Sequence, residues 1–241
     1  MLAIFSLAQP AQFGWLTVIA QPLYLALQFL HSHGVANWGW AIIVFTALFN
    51  CLTLAPRVLS MRSGLKRMRL QPKAEAIQKR YAHLKFDDPK RAAMNTEILA
   101  LYQSEGISLY SGLWLPLLQT PLFLAYFRVL SSAAELHHAH WYWIADLASP
   151  DPFHILPIAI LVCMFLTQHI TPAPGMDRNQ RRLMTLLIPA VMGFVLWHYA
   201  AGLALYWATG NLLNLLFQLA VNRTRLGKEM LAISDGEIVG L

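Results

Sequence analysis

Uncharged polar side chains punctuate otherwise apolar runs of this chain: Thr46, Asn50 and Thr53, then Gln119 and Thr120, then Asn211 and Asn214. Positions 46, 50 and 53 follow the i, i+4, i+7 rule, so one helix would carry all three on one face. Amides and hydroxyls donate and accept hydrogen bonds without ionising, so their chemistry is solvation rather than bond-making. Inside a bilayer such groups must face protein or water. They therefore either hold helices together or line a wet cavity, and spacing alone leaves both open.

Bond-making chemistry has less to build on. A Gly-rich phosphate cradle ending in Lys-Ser/Thr does not occur, which removes nucleotide hydrolysis by that route. His137, His138 and His140 lie close together with only Glu135 beside them, a pattern read as an exposed loop with spare imidazoles rather than a metal site. No motif supports a Ser/His/Asp arrangement within the apolar runs. Cys51 and Cys163 both fall in apolar runs, where a buried reduced thiol is the commoner state. No enzymatic activity, cofactor or metal is expected.

The elements that would position the polar groups follow from composition. Of 241 residues 57% are hydrophobic and 12% charged, so lipid rather than water is the expected solvent. The run 38–56 is uncharged and would reach about 28 Å as a helix, enough for the hydrocarbon core. Further runs at 109–131, 153–170, 183–199 and 200–221 complete an expectation of five transmembrane helices. Arg128 alone is charged among them, near enough to a helix end to extend its head to the interface.

Orientation follows from the basic residues. None precedes Arg57, eleven lie from Arg57 to Arg91, and none lies between 131 and 152. Arg178, Arg181 and Arg182 follow, then Arg223, Arg225 and Lys228. Seventeen of eighteen thus fall in alternate loops on one side, which is the cytoplasmic side by the positive-inside rule. The segment 1–37 is placed outside, with residues 13–33 read as an interfacial amphipathic helix beginning near Pro22 and, as the alternative, as a sixth span; the loop 132–152 is placed outside, and 171–182 and the tail 222–241 inside. The first Lys or Arg being Arg57, no signal peptide is expected.

The segment 57–108 is the one sizeable soluble piece. Ala74, Ile77 and Tyr81 form one helical stripe and Met94, Ile98 and Leu101 another, which predicts a helical hairpin. Asp88 followed by Pro89 supplies a cap and first helical residue for its second arm, and Gln71 before Pro72 predicts a break in the first.

The ordered segments NWGWAIIVFTALFNCLTLAPR, MRLQPKAEAIQKRY, DDPKR, ALYQSEG, LWLPLLQTPLFLAYFRVL, WIADLASPDPFHILPIAI and AGLALYWATGNLLNLLFQ resemble successive segments of the YidC/Oxa/Alb insertases. QPLYLALQFLHSHG is similar to that family's outside amphipathic helix. The resemblance covers about residues 20–225, in a minimal core form without the large outside domain and extra N-terminal span of some members. It implies an all-α polytopic bundle around a hydrophilic groove that is open to lipid and cytoplasm and closed toward the outside. It also implies nascent membrane proteins and the lipid bilayer as partners, with the ribosome and a secretion channel as further ones, and no specific DNA binding. Thr46, Gln119, Tyr206 and Asn211 would line or border that groove, which favours the cavity reading of the polar stripe.

One departure concerns charge. The family's intramembrane arginine on its first core span falls, without gaps, at Asn50. Arg57 lies seven residues on and about 10 Å nearer the cytoplasm, where it either supplies charge at the groove mouth or anchors the span; an anchor is what a basic residue just past a span ordinarily is. The implied activity is insertion and folding of nascent membrane proteins in the bacterial inner membrane. A non-inserting assembly factor of the same fold is the alternative, with a small-solute transporter behind it, since neither paired halves nor a midplane ion site is visible.

Overall fold

A computed structural model describes residues 16–83, 90–107, 114–132, 136–172 and 178–234. Within them the chain is helical: α1 Thr17–Ser32, α2 Trp38–Leu52, α3 Leu54–Arg80, α4 Lys90–Ser104, α5 Trp114–Ser132, α6 Ile155–Ile170, α7 Arg178–Leu196, α8 Ala201–Arg223 and α9 Arg225–Ser234. Two isolated bridges, Trp141 with Ile144 and Pro150 with Ala200, are the only β pairing among these residues. The chain divides into two compact units. The first holds residues 1–53, 117–169 and 182–217, and the second 54–116, 170–181 and 218–241.

In the first unit α1 buries Ala20, Tyr24 and Leu27 at helical spacing and leaves Val18 and Phe29 exposed, as an amphipathic helix should. It packs on α2, whose start is fixed by Asn37. The Asn37 side-chain oxygen accepts from the amides of Gly39 at 2.9 Å and Trp40 at 3.3 Å, while its amide nitrogen donates to the His140 carbonyl at 2.8 Å. Gly39 permits a close approach here, because a Cβ at that position would lie 2.3 Å from the Trp141 ring.

Residues 136–154 form a hydrogen-bonded cap between α5 and α6. Trp141 and Ile144 exchange backbone bonds of 2.8 Å, and the carbonyls of Ser149 and Leu147 accept from the Ala201 and Gly202 amides at 2.7 and 2.8 Å. The loop thereby satisfies the first free amides of α8. Asp151, almost fully buried, does the same for α6: its carboxylate accepts from Leu156 N at 2.8 Å, Phe153 N at 3.1 Å and Trp143 Nε1 at 3.0 Å. Around these elements one apolar cluster runs from Ala20 and Leu27 through Ile42, Val129 and Leu147 to Ile160 and Leu205.

In the second unit α3 and α4 form the predicted hairpin, joined by an Arg80–Glu97 ion pair. Ala74 and Ile77 are buried as their stripe requires, and Tyr81 is half-buried. The expected break at Gln71–Pro72 is absent. Pro72 lies inside an unbroken α3, so the turns on either side outweigh the bias that proline imposes on the residue before it. Asp88 and Pro89 fall outside the described residues.

The tail contains a helix that the sequence reading did not foresee. α9 sets Met230, with Leu226 and Ile233, against Leu65 and Met68 of α3, and Arg69 pairs with Glu229. Gly227 makes the tight turn into it possible, since a Cβ there would stand 2.2 Å from the Val221 carbonyl oxygen. Asn222 donates to the Ile170 carbonyl at 2.9 Å and accepts from Gln218 at 2.8 Å.

Several boundaries differ from the sequence reading. The run 38–56 breaks at Thr53, whose hydroxyl lies 3.2 Å from the Phe49 carbonyl and 3.0 Å from that of Asn50, and Pro56 falls in the first turn of α3, where a missing amide is tolerated. The run 183–199 is displaced toward the N-terminus, since α7 begins at Arg178 and ends at Leu196. Among the described residues no single helix is long and apolar enough to cross a membrane; α2 and α3 pass that test together as a bent pair.

Candidate functional site

The polar groups of the first unit lie on α2, α5 and α8. Thr46 is fully buried and donates to the Ile42 carbonyl at 2.7 Å, its own helix supplying the acceptor. Alongside it sits Tyr126 of α5, whose ring stacks on Phe45 at 5.3 Å and meets Tyr206 of α8 at 4.3 Å. The Tyr126 hydroxyl lies beside Thr46 and Tyr206. A Cβ on Gly210 would come within 4.0 Å of the Thr46 methyl, so α8 runs close to α2 at this level. Thr46 and Tyr206, two of the sequence-expected groove residues, are therefore brought together, and Tyr126 joins them.

Sequence reasoning missed Tyr126, although a signal was present: it lies seven residues beyond Gln119, on the same face of α5. The side chain of Gln119 itself falls outside the described residues. Asn50 and Asn211 are each half-buried. Asn50 Nδ2 donates to the Thr46 carbonyl at 2.8 Å and Asn211 Nδ2 to the Trp207 carbonyl at 2.9 Å, both within their own helix. Among the described residues neither amide nitrogen bonds to a neighbouring helix, and the choice between interhelical glue and wet cavity stays open. Asn211 lies five residues after Tyr206, or about 140° around α8, so the two do not share a face. Arg57 belongs to the second unit, in α3, and is half-buried.

Among the described residues no group of three metal-ligating side chains converges, and His137, His138 and His140 are exposed, with Glu135 outside the description. Asp146 serves the loop instead. Burial disfavours its charge, but bonds from the Ala148 amide, the Ser149 hydroxyl and the His138 amide, with His137 nearby, hold the carboxyl below its ordinary value.

Residues 29–228 match the family model described as 60Kd inner membrane protein. The chain belongs to that family. Within it, the membrane protein insertase YidC of Cupriavidus taiwanensis is 38% identical over 222 residues, covering 92% of this chain and 38% of the relative. The membrane protein insertase YidC of Campylobacter jejuni is 40% identical over 213 residues, covering 88% of this chain and 39% of the relative. The chain thus spans about two fifths of the length of the curated relatives it matches. A crystal structure of an active YidC insertase, with its first transmembrane domain resolved, shares the fold with a TM-score of 0.59 at 23% identity, over 84% of this chain and 46% of that one. Family membership makes this a membrane protein, as its composition requires.

Proposed function

We propose that this chain is a membrane protein insertase that inserts and helps fold nascent membrane proteins through a hydrophilic groove open to lipid. The observation that carries this reading is the likeness to named insertases along about nine tenths of the chain. Five transmembrane helices would enclose the groove in the bacterial inner membrane, with the N-terminus outside, the C-terminus and the α3–α4 hairpin in the cytoplasm, and α1 lying on the outer surface. Thr46, Asn50, Gln119, Tyr206 and Asn211 would line or border the groove, and Arg57 would stand at its mouth or anchor the chain. The ribosome and a secretion channel would meet it on the cytoplasmic side.

The physics needs no external energy source. A charged residue at a helix centre costs about 2.5–3.5 kcal/mol on insertion scales, and a wet groove shortens the dry path that a substrate's polar tail must cross. The tail would rest against the Asn50 and Asn211 amides while its apolar helix moves sideways into lipid, driven by hydrophobic burial.

An assembly factor of the same fold is the second reading, favoured by an amide at Asn50 where the family resemblance expects a fixed cation. Depletion in cells, followed by protease protection of newly made membrane proteins, separates the two. Insertase function predicts tails left on the wrong side of the membrane. Normal insertion with failure to form complexes would overturn it in favour of the assembly role.

A further inference from the structure

Most histidines of this chain gather at one end of the first unit. His31 and His33 close α1, His137, His138 and His140 lie in the cap ahead of α6, and His154 and His198 flank α6 and α7, which makes seven of nine. Hydrogen bonds tie these segments together: Asn37 to His140, Ala201 to Ser149, Gly202 to Leu147. Apart from Arg128, exposed one turn before the end of α5, the described segments of this end carry no lysine or arginine, so any further positive charge there must come from imidazoles.

The same end is rich in exposed aromatic rings. Tyr142 is 72% exposed and Phe153 65%, with Trp40, Trp197 and Tyr199 partly exposed beside them. Amphipathic rings of this kind sit at the headgroup level of a membrane protein. Imidazoles are interleaved with rings, His31 stacking on Trp38 and His154 on Trp197 at 4.0 Å in both cases, and His33 on Phe29 at 4.3 Å. Protonation would add a cation–π attraction at each stack.

Among the described residues, the carboxylates that could neutralise such cations are already engaged. Asp151 is buried and bonded to Trp143, Phe153 and Leu156. Asp146 holds the amides of His138 and Ala148 and faces one imidazole, His137. Glu135, the remaining acid of this segment, lies outside the described residues. Protonated His33, His138, His140 and His198 are exposed and would face lipid phosphates instead.

We propose that this aromatic and imidazole-rich end is an acid-responsive contact surface for anionic lipid headgroups. Histidine is the side chain whose charge changes across the physiological pH range, so acidification adds positive charge to this surface. The proposal goes beyond insertion and does not depend on it. It also does not depend on the orientation argued above, because a vesicle with the same lipid and pH on both sides tests either end.

The test is quenching of tryptophan fluorescence in vesicles of the full chain, by dibrominated phosphatidylglycerol against dibrominated phosphatidylcholine, at pH 7.5 and 5.5. Lysines and arginines stay charged across this interval and contribute a constant background. The relative preference for phosphatidylglycerol should rise about fivefold on acidification, the worth of one headgroup contact. The exposed-site variant His33→Gln/His138→Gln/His140→Gln/His198→Gln should lose most of that rise. A preference that does not change with pH in the unmodified protein overturns the proposal, as does a rise that survives intact in the variant. Should the variant not fold, the comparison of the two lipids in the unmodified protein decides alone.

Discussion

Asn50 illustrates how much a single side chain can decide. Its nitrogen is held by the Thr46 carbonyl one turn back, so what it offers a substrate is a dipole on a half-buried side chain. An amide provides hydrogen bonds without a Coulomb term, and two unit charges 4 Å apart attract by about 4 kcal/mol at an effective dielectric of 20. Preference for acidic substrate tails should therefore be weak in this chain. Asn50→Arg should raise insertion of acidic-tailed substrates several-fold in reconstituted vesicles and leave neutral-tailed ones nearly unchanged. Equal gains for both tail types would show that charge at position 50 is not what the tail senses. The neighbouring Thr46–Tyr126–Tyr206 contact differs, because Thr46 and Tyr126 are buried and would border the proposed groove rather than face its water.

At the scale of elements, the helices were legible where hydrophobic periodicity was long and uninterrupted, and illegible where a local contact decided. Of the face expected from positions 46, 50 and 53, Thr46 and Asn50 lie on α2 while Thr53 caps its end, and the first hairpin stripe is seen in buried Ala74 and Ile77. α9 was missed although Leu226, Met230 and Ile233 carry the i, i+4, i+7 signal; what the sequence could not show is its partner surface, Leu65, Met68 and Arg69, some 160 residues earlier in the chain. Asp151 was not singled out from the sequence, and only the fold shows it capping α6. Asp146 yields a prediction at this scale. Its carboxyl is held low in the folded chain, so it contributes stability that is present above the ordinary carboxylate range and is lost as pH falls through the depressed native value. Thermal unfolding of Asp146→Asn should thus lie below that of the unmodified protein at neutral pH, and the gap should close in strong acid. A gap that stays constant with pH would assign the loss to shape rather than charge.

For the whole molecule the governing quantity is where charge lies along an apolar chain. The formal charge is +6, yet its distribution matters more than its size, since insertion reads Lys and Arg in short loops and largely ignores Asp and Glu. The eleven basic residues from Arg57 to Arg91 outweigh any other segment, and the cap around residues 136–154 has none. Dragging the basic segment across the hydrocarbon would cost about 2.5–3.5 kcal/mol for each charge, whereas translocating the histidine-rich cap would move no Lys or Arg at all. The sidedness can be read with two exposed positions, using His138→Cys and Lys79→Cys in a background that carries Cys51→Ser and Cys163→Ser. A membrane-impermeant maleimide should label position 138 in spheroplasts, and position 79 only after the membrane is broken. The reverse pattern would set the basic hairpin outside, away from newly made chains, and the hairpin could then take no part in receiving a substrate.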